Sequence, residues 1–197
     1  MEINVNKRYA AFGIGIVILY FLSVAAFLVT GKSLALTIWE IMTIVSAPVT
    51  LIILVRFCDC AAASRVYRDL MLTFMACACT LTCAAHIVNI SVTRRLLEQG
   101  AEVPTYFQIG MWPSVEMAID YLAWGFFVGL AFAAVALSID RANSKLRGIR
   151  ITFFVNATLC LTGFLGAFLL HENLWYLAPL GYGIGFVVFC IQWLRLP

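Results

Sequence analysis

Five polar side chains stand out in a chain that is otherwise apolar: Glu40, His86, Asn89, Glu116 and Asp120. Carboxylates beside an imidazole can exchange protons, hold a cation or activate water for hydrolysis. All five lie within long hydrophobic runs. There an Asp, Lys or Arg at mid-helix costs about 2.5–3.5 kcal/mol on insertion scales, so such groups mark function or pairing. Helical spacing sorts them onto faces. Glu40, Thr43, Ala47 and Thr50 share one, Cys79, Thr82, Cys83, His86 and Asn89 a second, and Glu116, Asp120 and Trp124 a third. Gly125 and Gly129 fall on the side opposite that third face. A helix with one polar and one close-packing side belongs at the centre of a bundle, so the polar groups are expected to meet one another.

Simple structural roles account for part of this set. Ser114 can cap the helix that carries Glu116, and a first-turn carboxylate is favoured by the macrodipole. Asp120 and Glu40 lie too far from their expected caps, Ser114 and Ser33, for that explanation. Asn89 and His86 can hydrogen-bond across helices. His171 and Glu172 suit a solvated turn. The spacing of Cys79, Cys83 and His86 offers soft ligands to copper or zinc, but small residues packing on a helix face explain it, and no metal is expected. The Cys58-Asp59-Cys60 and Cys77-Ala78-Cys79 pairs lack the spacing of redox and zinc motifs. No lysine lies inside a hydrophobic run to form a retinal Schiff base, and His86 and His171 differ in depth too much for a shared haem. The sequence holds no HExxH, GxSxG, Walker or dinucleotide motif, and it names no cofactor.

The elements that must position these groups follow from hydropathy. Of 197 residues, 63% are hydrophobic, against roughly 45–50% in soluble domains, and mean hydropathy is +0.99. Six runs reach the ~20 residues that a membrane-spanning helix needs: 10–30, 34–55, 70–92, 114–137, 151–170 and 175–194. They are continuously apolar rather than alternating, which excludes a barrel. The expectation is an all-α, polytopic six-transmembrane-helix bundle forming a single domain over 1–197. Lys7 and Arg8 precede a run too long for a cleaved signal, so the first helix is expected to stay. Seven cysteines, mostly inside spans, act as small apolar residues rather than a disulfide framework. The net charge of +3 is scattered over loops, which excludes nucleic acid as a partner. Pro48 frees the carbonyl of Ile44, which a neighbour must satisfy. The Gly125/Gly129 and Gly181/Gly185 pairs, with Gly163 and Gly166, predict close helix contacts.

Of the 13 lysines and arginines, only Lys32, Arg94 and Arg95 fall on one side of the spans. That asymmetry places both termini in the cytoplasm and the protein in the cytoplasmic membrane. All five polar residues then occupy the outer half of the bilayer. The leading expectation is an acidic pocket open to the outer side, with Glu40, His86, Asn89, Glu116, Asp120, Tyr121 and Trp124 as ligand-binding residues. It would take a small polar or cationic ligand or a proton, as a transporter or the sensing subunit of an assembly with a partner membrane or cytoplasmic subunit. The alternatives are an intramembrane enzyme acting on a lipid or isoprenoid head group, with catalytic residues unassigned, and a structural or assembly subunit. The connection 93–113, beginning Arg94-Arg95 and ending in an aromatic run, is expected to fold back over the bundle as a lid anchored by Trp112.

Overall fold

The computed structural model describes residues 2–61 and 63–197, with side chains from Lys7 onward. Among the described residues there are helices and turns and no strand. Six helices are long and apolar enough to cross a membrane, so the chain is an all-α multi-pass membrane protein set in a lipid bilayer. The first is Glu2–Thr30 and the second Ser33–Cys60. The third is Arg65–Glu98, the fourth Val115–Ser138, the fifth Ser144–Leu169 and the sixth Glu172–Leu194.

Each helix packs against the next in sequence, and the sixth closes the ring against the first. The fourth is the most enclosed, with 67% of its apolar window buried against 22% for the first. Turns at 31–32 and 170–171, with the connection 99–114, mark one end of the bundle, the loop end. The link between the second and third helices and the 139–143 turn mark the other, the basic end. There Arg68 Nε donates to Asp59 Oδ1 at 2.9 Å and ties the second and third helices. Toward that end the core is aromatic: Phe57 meets Phe153, Phe189 and Trp193 with centroids 5.0–5.8 Å apart.

Two boundaries differ from the hydropathy reading. The third helix runs through Arg94 and Arg95 to Glu98 rather than stopping at 92, because Arg, Leu and Glu are good helix formers and Arg94 finds a partner inside the bundle. The second helix begins at Ser33 after Lys32 at the cap position, and no side chain caps it. Ser114 does cap the fourth helix, accepting from the Met117 N–H at 3.1 Å. At Pro48 the freed carbonyl of Ile44 accepts from the thiol of Cys83, at 3.9 Å, on the third helix.

The glycines mark where backbones come closest. A methyl group on Gly125 would lie 2.7 Å from Phe164, and one on Gly163 would lie 2.7 Å from the Ala178 nitrogen. On Gly181 it would lie 2.7 Å from the Asn156 carbonyl oxygen, a backbone atom with nowhere to move. The fourth helix thus turns its glycine face to the fifth, and the fifth and sixth meet through glycines on both. Gly15, in contrast, has open space around it. Gly181→Ala should therefore cost about 1–3 kcal/mol through overpacking. Gly15→Ala should be neutral or stabilising by roughly 0.5–1 kcal/mol through helix propensity. Thermal unfolding of the purified protein in detergent micelles checks both.

Candidate functional site

Glu40 sits on the second helix, 2% exposed. Its carboxylate accepts from Asn89 Nδ2 and from Arg94 Nη2, both on the third helix. Arg94 Nη1 donates to Thr37 Oγ1 at 2.8 Å and to the Ser33 carbonyl at 3.4 Å. The charge of Glu40 is therefore matched within the protein. This corrects the placing of Arg94 at the start of the 93–113 connection, because it lies on the third helix.

The local backbone explains the difference. In a regular α-helix at ~100° per residue, Arg94 would lie about 140° around the axis from Asn89. Residues Asn89–Thr93 instead form a π-helical turn, in which the Arg94 N–H donates to the Asn89 carbonyl. A π-turn bonds residues five apart and stacks them on one face. Asn89 and Arg94 thereby reach the same carboxylate.

One turn before Asn89, His86 lies between two acids. Its Nδ1 is 3.8 Å from Glu40 Oε1 and its Nε2 is 3.6 Å from Asp120 Oδ1. These are ion-pair distances, longer than hydrogen bonds. Neither ring nitrogen has a hydrogen-bond partner in the protein, and His86 is 6% exposed. Asp120 has the more open carboxylate of the two, its side chain 16% exposed against 2% for Glu40. The result is a carboxylate–imidazole–carboxylate row across three helices, with Arg94 closing one end.

Glu116 is buried one turn above Asp120, toward the loop end. Its Oε1 is 3.3 Å from the Thr93 hydroxyl, which also lies 3.5 Å from the carbonyl of Phe107. That hydroxyl has one proton to share between two acceptors, so Thr93 links the cluster to the long connection. Trp112 from that connection stacks on Tyr121 with centroids 5.1 Å apart, and Tyr121 stacks in turn on Trp175 at 3.9 Å. The connection spans 99–114 rather than 93–113, and it reaches the site through Phe107 at Thr93 and Trp112 at Tyr121.

Of the seven residues singled out in the sequence, Glu40, His86, Asn89 and Asp120 converge in one row. Glu116 joins through Thr93, and Tyr121 belongs to the aromatic stack. Trp124, a turn deeper than Asp120, lines a cavity of about 30 Å³ with Val17, Tyr20, Ser46, Thr50, Tyr182 and Gly183. Sequence reasoning missed Tyr20, Thr37, Thr93, Arg94 and Tyr182. Tyr20 from the first helix and Tyr182 from the sixth meet Trp124 at that cavity. Tyrosines occur throughout membrane spans and carry no signal of their own; Arg94 looked like an ordinary flanking charge.

Comparison with family models, with curated proteins and with solved structures finds no match to this chain. The chemistry must be read from the residues themselves. Breaking a buried ion pair on one side strands the other charge, at about 3–5 kcal/mol, while replacing both partners by apolar residues is often neutral. Arg94→Met should therefore destabilise strongly, and the Glu40→Met/Arg94→Met double variant should recover most of the loss. Denaturant unfolding in micelles, run as a double-variant cycle, measures that coupling.

Proposed function

We propose that this protein is a membrane subunit that senses protons through the row Glu40–His86–Asp120. The observation that carries the reading is His86: a buried imidazole facing a carboxylate from each nitrogen, with neither nitrogen hydrogen-bonded. A proton added to such a ring turns two loose contacts into charge-assisted ones and draws three helices together. Arg94 already neutralises Glu40, so Asp120 and His86 form the pair left to exchange a proton. Close packing of the row supports a proton over an amine-bearing solute. The connection 99–114, held through Thr93 and Trp112, serves as the cover that a shift of the row would move.

A layer beneath the cavity supports sensing over conduction. Ile53, Val128 and Phe186, one turn toward the basic end, are each at most 1% exposed and offer no polar atom to carry a proton further. In proteoliposomes, infrared difference spectra between two pH values should show a carboxyl band that Asp120→Asn abolishes and His86→Gln shifts. Vesicles under a pH gradient should leak no faster than protein-free ones. A spectrum unmoved by both substitutions would assign the row to helix–helix contacts, and steady flux would make the protein a transporter.

The bias of basic residues supports both termini in the cytoplasm of a cell whose cytoplasmic membrane holds the protein. Cysteines introduced at Gly31 and Asn143 test it. The first should react with an impermeant thiol reagent in intact cells and the second only after lysis.

A further inference from the structure

We infer that the junction of the fourth and fifth helices at the basic end binds the phosphate of an anionic lipid headgroup, with Arg150 as the residue that grips it. Charge at this end is compensated unevenly. Beside the link between the second and third helices, Asp59 and Asp69 ion-pair with Arg56, Arg65 and Arg68 at 2.9–4.0 Å. Beside the link between the fourth and fifth, Arg141, Lys145, Arg147 and Arg150 meet no carboxylate among the described residues. The one acid of that stretch, Asp140, turns its Oδ1 back to the Ala142 N–H at 2.9 Å. An anion from outside the chain is the partner this sector lacks.

Arg150 is placed unlike the other three cations, which are exposed. It is half-buried on the fifth helix, and its Nε donates to the Ala136 carbonyl of the fourth at 3.2 Å. Its Cζ lies 5.1 Å from the centroid of the Phe154 ring, inside the ~6 Å reach of a cation–π contact. These two contacts hold the guanidinium in place and leave both Nη groups without an acceptor among the described residues. Parallel N–H groups of an arginine match two oxygens of a phosphate, which a lysine cannot do. Arg150 therefore presents a held fork rather than a swinging charge.

The surface around the fork selects a lipid. At ~100° per residue, Arg147, Arg150, Ile151 and Phe154 fall within about 100° of the circumference of the fifth helix. Ile151 and Phe154 are exposed, as is Leu137 at the end of the fourth helix. The strip thus runs from cations at the helix end to apolar side chains within the span, the order of a phospholipid headgroup and its acyl chains. Basic pockets between spanning helices recognise acidic headgroups in this way. A soluble acidic segment would meet Arg141 and Lys145 but gain nothing from Phe154 and Ile151. Basic residues at this end also serve topology, but topology requires neither the pinning of Arg150 nor the exposed ring beneath it.

Native mass spectrometry of the full chain, titrated in detergent with phosphatidic acid or phosphatidylcholine, tests this. Phosphatidic acid should bind the more tightly. Arg150→Gln and, independently, Arg147→Gln should each weaken it by about fivefold, the loss expected for one basic residue at an anionic membrane surface. Arg150→Lys keeps the charge but loses the fork, so it should weaken binding nearly as much. Arg65→Gln, in the compensated sector, should leave binding unchanged. Arg147 is exposed, so its variant reads the site even where an Arg150 variant fails to fold. Equal binding of the two lipids, an equal loss in Arg65→Gln, or wild-type binding in Arg147→Gln or in either Arg150 variant overturns the site. Inorganic phosphate should displace little of the lipid even in large excess; displacement at matching concentration would make this a site for a soluble anion and overturn the lipid assignment.

Discussion

A carboxylate buried in the low-dielectric part of a membrane protein is tolerated only with a matching charge and hydrogen bonds, and Glu40 has both in Arg94 and Asn89. Much of the loop end is arranged around that requirement. The third helix continues past the hydrophobic run so that Arg94 stays helical. A π-turn at Asn89–Thr93 brings Asn89 and Arg94 onto one face. Arg94 in turn fixes the start of the second helix through Thr37 and the Ser33 carbonyl. With Glu40 satisfied from that side, His86 is left facing both Glu40 and Asp120 without a hydrogen bond to either.

The fourth helix mediates between this polar row and the rest of the bundle. One face carries Glu116, Asp120 and Trp124; the other carries Gly125 and Gly129, against which Phe164, Cys160 and Leu161 lie. A second π-turn, Leu122–Phe127, falls between the acids and the apolar stretch below. A third, Leu180–Ile184, lies on the sixth helix and includes Tyr182 and Gly183 of the cavity wall. Each such turn inserts a residue into the helical repeat and re-aims the side chains beyond it. All three occur on helices that contribute to the row or the cavity.

The sequence made the six helices legible because each run is apolar for its full length, a signal that tertiary contacts do not alter. Glu40, His86 and Asp120 were legible because lipid makes such groups expensive, and the convergence of faces followed from 3.6-residue spacing. The same spacing hid the partner of Glu40: a regular helix points Arg94 away from Asn89, and only the π-turn turns it back. Arginines at the end of a hydrophobic run also serve as ordinary flanking charges, so hydropathy drew the boundary two residues short of Arg94. The carbonyl freed by Pro48 was readable as a need. That Cys83 meets it depends on the register between two helices, which no single-helix pattern contains.

The pairing of Glu40 with the third helix also bears on how the chain enters a membrane. Helices are made and inserted from the N-terminus onward, so the second arrives carrying a carboxylate with no counter-charge of its own. Its partner belongs to the very next helix, and His86 on that helix meets Asp120 on the one after. Every polar contact of the row is thus made between helices consecutive in synthesis. The chain never has to hold an unmatched charge while waiting for a distant segment, and the second and third helices can settle as one hairpin before the remaining three are complete.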